Sequence, residues 1–228
     1  MTLPTTPASA AGADPAPELE FAVEGVEPVR YAAVPTLGFR LAVERIDGGA
    51  VRSVALNAQI RIAATRRTYA PSEQERLLEI FGPTEQWSRS VRSLLWLNAT
   101  MNVPAFTGRT LYELQIPCTY DFELTSARYF DALEGGEIPL EFLFGGSVFY
   151  AGPGGALRVA SIAWDREAEF RLPVAVWRDM MDQFFPGAAW MRLGKDSFDR
   201  LYAYKVRQAL ASWEDTVDSL LHEAGEDI

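Results

Sequence analysis

The stretch Val51–Ile62, VRSVALNAQIRI, decides how the chain is built. Val54, Leu56, Ala58, Ile60 and Ile62 fall on one side of a two-residue period, and Ser53, Asn57, Gln59 and Arg61 fall on the other. That alternation marks a strand with one face buried and the other in water. Just upstream, Phe39, Leu41 and Val43 alternate with Arg40 and Glu44, and Asp47-Gly48-Gly49 supplies residues that tolerate positive φ in a tight loop. The two runs together read as a β-hairpin with an apolar face.

Downstream the same period returns again and again. Leu95, Leu97, Ala99, Met101 and Val103 alternate with Asn98, Thr100 and Asn102, and Tyr112, Leu114 and Ile116 with Glu113 and Gln115. After Pro117, the run Tyr120, Phe122, Leu124 predicts one more strand, and so do Leu140, Phe142, Phe144, Val148 and Tyr150, interrupted by Gly145-Gly146 as at a bulge or a close backbone approach. Leu157–Ala163 and Glu167–Leu172 complete the set, while Leu19, Phe21 and Val23 open it, with Gly25–Pro35 read as a turn or irregular edge. Helical spacing appears after Pro71-Ser72 up to Gly82, weakly over Thr84–Ser90 and Ser126–Leu133, and then strongly from Pro173. There Val174, Trp177, Met181 and Phe184 form a stripe, Asp196 is placed to cap a further helix, and Ser212 with Asp215 forms a capping box for a last one, with Trp213, Val217, Leu220 and Leu221 facing inward.

The expected fold is α+β: an antiparallel β-sandwich or strongly bent sheet with a C-terminal helical cap. Residues 1–17, rich in Pro, Ala and Thr, read as a disordered tail, residues 18–172 as the mainly β domain, and residues 173–228 as the cap on the same core.

Composition excludes several classes of function. A net charge of −10 over 228 residues, with no basic run longer than Arg66-Arg67, argues against nucleic acid and against anionic membrane surfaces. One cysteine, Cys118, rules out an intrachain disulfide framework, and one histidine, His222, leaves no zinc pattern. No apolar run reaches the roughly 20 residues that cross a bilayer, and no secretory signal opens the sequence. A cytoplasmic protein with no metal and no cofactor is expected.

Residue by residue, chemistry is sparse. Cys118 lacks a nearby base and reads as a buried strand residue, His222 sits in the last turn of the final helix, and Asp121, Glu123, Glu134 and Glu137 read as surface carboxylates. Gly152-Pro153-Gly154-Gly155 has no following Lys-Ser/Thr and opens no helix, so it is a turn rather than a phosphate loop. The unusual feature is the cluster Trp177, Met180, Met181, Phe184, Phe185 and Trp190, more large apolar groups than one helical face buries. With Trp177 and Met181 facing inward, Met180, Phe185 and Trp190 are the candidate partner-binding residues.

The segments VEPVRYAAVPTLGF (Val26–Phe39), YAPSE (Tyr69–Glu73), IPCTYDFE (Ile116–Glu123) and LPVAVWRDMMDQFFP (Leu172–Pro186) resemble a family of actinobacterial proteins of unknown function. The resemblance runs from about Glu18 to Glu223 and carries an association with gene clusters for high-affinity, oxygen-tolerant nickel-iron hydrogenases. It implies a non-enzymatic accessory, maturation or partner-binding protein whose partner is a hydrogenase subunit or assembly factor, and it brings no catalytic residues. The alternative is a small-molecule or metal-binding enzyme built from scattered carboxylates and Cys118.

Overall fold

The computed structural model describes residues 16–118, 124–187 and 193–226. The chain divides into two compact units, Met1–Gly187 and Ala188–Ile228. In chain order the first holds β1 (Leu19–Pro28), β2 (Thr36–Arg45), β3 (Ala50–Val51), β4 (Ser53–Ile62), α1 (Pro71–Arg76), α2 (Leu78–Phe81), α3 (Trp87–Ser90), β5 (Leu94–Val103), β6 (Phe106–Thr107) and β7 (Arg109–Pro117). It continues with α4 (Leu124–Ala132), β8 (Glu137–Ala151), β9 (Leu157–Ser161), β10 (Glu167–Pro173) and α5 (Val174–Phe184). The second holds α6 (Lys195–Arg207) and α7 (Trp213–Ala224).

The fold is an α+β antiparallel sandwich. One sheet has the order β1-β2-β7; the other has the order β10-β8-β4-β5, with β9 also paired to β8. Strand β4 lies between β8 and β5, and the residues its alternation turns inward, Val54, Leu56, Ala58, Ile60 and Ile62, are all buried. Phe39 of β2 crosses the core to meet Trp96, Phe142 and Phe170, with ring centroids 6.1, 5.5 and 5.8 Å away. On the side where β1 approaches β10, Phe21 stacks on Phe144 at 4.4 Å.

The hairpin expected between β2 and β4 does not form. Strand β2 pairs with β1 and β7, and β4 pairs with β5 and β8, so the Asp47-Gly48-Gly49 turn carries the chain from one sheet to the other. Alternation says which side chains are buried, and two buried faces are satisfied as well by facing each other across a core as by lying side by side. The turn itself is held as a loop of that composition suggests: Asp47 accepts from the Gly49 amide at 2.9 Å and from Arg45 at 2.7 Å, and Gly48 takes a positive φ of 69°.

Other elements shift by smaller amounts. Strand β1 runs on through Gly25 to Pro28 with a bulge between Val23 and Gly25, where the Arg40 side chain lies over the glycine, and Pro17 is already buried. In β5 a register slip opposite Ile60 and Arg61 resets the alternation: Trp96 is buried and Leu95, expected inside, is exposed. The paired glycines of β8 mark a close approach and not a bulge. The β4–β8 register runs unbroken past Gly146, whose φ of 133° and nearest neighbour, the Ala55 carbonyl, leave no room for a Cβ. The helix expected over 71–81 breaks into α1 and α2 at Leu77.

Helix α5 belongs to the first unit, where Val174, Trp177, Met180 and Met181 are buried. In the second unit the capping box of α7 forms as expected, the Asp215 amide donating to Ser212 Oγ at 2.9 Å and the Ser212 amide to the Asp215 carboxylate at 3.0 Å. Asp196, however, lies inside α6, whose cap is Gly194. On α7, Trp213, Val217, Leu220 and Leu221 keep substantial exposure, and Thr216 is the buried position. Among the described residues no helix is long and apolar enough to cross a membrane.

Candidate binding groove

Among the described residues, strands β5 and β7 are each the last strand of their sheet. Between them the sandwich opens into a groove of about 830 Å³, floored by Trp96, Met101, Tyr112, Leu114 and Ile116 and closed at one end by Phe130 of α4 and Trp177 and Met181 of α5. Aromatic rings brace that end: Phe130 meets Trp96 at 5.1 Å and Trp177 at 5.5 Å, edge to face. The volume is that of an ordinary ligand site, and the lining is mostly apolar.

The edges themselves are polar main chain. At one end of the β2–β7 ladder the Cys118 amide donates to the Pro35 carbonyl at 2.7 Å, and at the other the Arg45 amide donates to the Gly108 carbonyl at 2.7 Å. Hydrogen-bonded pairs alternate along an antiparallel ladder, so Thr110, Tyr112, Leu114 and Ile116 bond to β2, whereas Leu111, Glu113 and Gln115 turn their N–H and C=O groups away from β2, the last two beside the groove. On the other side, the Ala63 amide donating to the Pro139 carbonyl at 2.8 Å fixes the β4–β8 ladder, and the same parity turns the main-chain groups of Asn98, Thr100 and Asn102 of β5 away from β4, the first two beside the groove. The side chains of Asn98 and Thr100 are directed back over β4: Gln59 donates to Asn98 at 3.3 Å and Thr100 to Asn57 at 3.0 Å.

Cys118 stands at the rim where β7 ends. The residue as a whole keeps some exposure, but burial pushes its thiol up to about 12, with the Leu37 amide only partly offsetting the effect, and its Sγ lies 3.5 Å from the Ile116 carbonyl. Such a thiol is a small apolar group and a poor nucleophile. The expected buried strand position is thus a groove-rim position with an inert sulfur.

Of the candidate partner-binding residues, Met180 is fully buried, not outward as its place on the helix suggested. Helix α5 packs against β1, β2 and β10 at once, so its buried arc is wide enough to take both methionines. Phe185 is half-buried against the core, and Trp190 lies outside the described residues. Trp177 and Met181 are on the inward side as expected, and they face the groove.

The carboxylates go elsewhere. Glu134 pairs with Arg76 at 3.2 Å and Glu137 with Arg171 at 3.9 Å, while Asp121 and Glu123 lie outside the described residues. Among the described residues no cluster of three or more His, Cys, Asp or Glu stands where a metal ion would fit. Gly152 to Gly155 is the turn between β8 and β9, closed by the Gly152 amide donating to the Ala156 carbonyl at 2.8 Å. The groove was hidden from sequence reading because the inward faces of β5 and β7 look like any core face; that neither strand has an outer neighbour among the described residues is a property of the pairing.

Among curated proteins none matches the chain. A solved structure, β-glucosidase 3B from Thermotoga neapolitana in complex with α-D-glucose, aligns at 13% identity over 68% of this chain, with a TM-score of 0.25. The chain spans 17% of that enzyme's length, and a likeness at this level carries no argument. The profile of one family covers residues 16–228, nearly the whole sequence. The chain therefore belongs to the family of unknown function DUF6084.

Proposed function

We propose that this is a non-enzymatic partner-binding protein, cytoplasmic and linked to an actinobacterial nickel-iron hydrogenase system, which holds an apolar part of a hydrogenase subunit or assembly factor in the groove between β5 and β7. The observation that carries the binding role is the groove itself: an apolar floor of core-strand residues reaching the surface between two unpaired strand edges. The link to a hydrogenase rests on the resemblance of the four segments between Val26 and Pro186. The test is recovery of hydrogenase proteins from the native host by the full chain and by variants that fill the groove, Ala99→Trp and Ala127→Trp. Retained melting temperature with loss of the hydrogenase component is the expected result. Undiminished recovery by both filled variants overturns the reading.

A further inference from the structure

Strand β7 is an edge built without the usual safeguards. Exposed edges are commonly blunted by bulges, prolines or lysines that discourage a further strand from pairing. Edge β5 carries such a bulge at Trp96, whereas β7 keeps an unbroken register with β2 from Arg109 to Pro117. Only at Pro117, which lacks an N–H, does its free ladder stop. Leu111, Glu113 and Gln115 leave their main-chain donors and acceptors unpaired by β2, and along Glu113 and Gln115 these groups border an apolar cavity wide enough to admit side chains.

Resting on the groove reading above, we infer that β7 receives an extended segment of the partner protein as a fourth strand of the β1-β2-β7 sheet. An added strand alternates its side chains, one set entering the cavity beside Tyr112, Leu114 and Ile116, the other standing outside beside Glu113 and Gln115. The first set must be apolar. The second set meets a carboxylate: Glu113 is exposed and is the one charged side chain among the described residues lining the groove, and its cross-strand neighbour Arg40 is engaged with Glu27 at 3.3 Å. The segment is therefore about five residues long, with apolar residues at alternate positions and lysine or arginine between them, a choice that the chain's net charge of −10 also favours. The chain's own residues 1–15 contain no lysine or arginine and have prolines at 4, 7 and 15, so they do not fit this description.

The probe is a blocked seven-residue peptide alternating valine and lysine, compared with the same peptide N-methylated at alternate amides and with a valine–glutamate copy, each titrated into the full chain. Expected are slowed exchange of the Leu111, Glu113 and Gln115 amides on binding the first peptide, no measurable binding of the N-methylated one, and preference for the glutamate copy in Glu113→Lys. Gln115→Pro, which removes one outward N–H from an edge strand that tolerates proline, should weaken binding at least about fivefold, the worth of one net hydrogen bond. Equal binding of the N-methylated peptide, or unchanged exchange at the three amides, overturns strand addition. If those amides are already protected without peptide, and deletion of residues 1–15 or dilution of a dimer releases them, the occupant is the tail or a second copy and the partner-strand assignment fails. Loss of hydrogenase recovery in Ala99→Trp with full recovery in Gln115→Pro would leave the groove reading standing while removing this one.

Discussion

At the residue scale, Cys118 shows how position outweighs type. A lone cysteine on the rim of a groove invites a catalytic reading, yet burial pushes its thiol up to about 12, so the nucleophilic thiolate is scarce near neutral pH. The expected outcome is slow, incomplete labelling by iodoacetamide in the native protein and complete labelling after unfolding. Cys118→Ser should leave hydrogenase recovery unchanged if the protein acts by binding. Rapid stoichiometric labelling of the native protein would move the enzyme reading ahead.

At the scale of elements, Glu73 and Arg67 fasten the first helix to the sandwich. The Glu73 carboxylate accepts from its own helix start, the Ala70 amide at 3.0 Å, from the Glu134 amide at 2.8 Å and from Arg67 at 2.7 Å. Arg67 also donates to the carbonyls of Gly135 and Glu137, so the pair ties α1 to the turn that enters β8. Burial by itself raises the Glu73 carboxyl, but the two amides and the guanidinium outweigh it and hold the group below its ordinary value. A depressed folded value means that this stabilisation is complete above the ordinary carboxylate range and is lost as pH falls through the lower, folded value. Glu73→Gln leaves the Arg67 charge buried without its counter-ion and should cost about 3–5 kcal/mol at pH 7. Denaturant melts of the two proteins should converge as pH falls below the ordinary carboxylate range and through the depressed folded value of Glu73, where the native carboxylate is itself protonated. A gap independent of pH would show that charge pairing is not what Glu73 contributes.

At the scale of the whole molecule, the two sheets of the first unit are joined by aromatic contact across the core, and Phe39 alone meets three rings of the opposite sheet while Phe21 stacks on a fourth. Phe39→Ala should cost about 3–5 kcal/mol, against about 0.5 kcal/mol or less for Val159→Ala on the exposed face of β9. Chemical denaturation with an unchanged denaturant slope is the measurement, and near-equal costs would mean that the sheets are held by something other than this contact. The sequence by itself determined which face of each strand is buried, because a two-residue period follows from backbone geometry: β4, β7 and β8 keep the inward residues that their alternation named. It also determined the α7 capping box, since that depends on residues close in the chain. The tertiary structure alone decided that β2 and β4 sit in different sheets, that Met180 lies inside and that β5 and β7 have no outer neighbours among the described residues. Each of these depends on which distant strand or helix arrives beside a residue, and the pattern along one segment specifies a face to be covered without specifying what covers it.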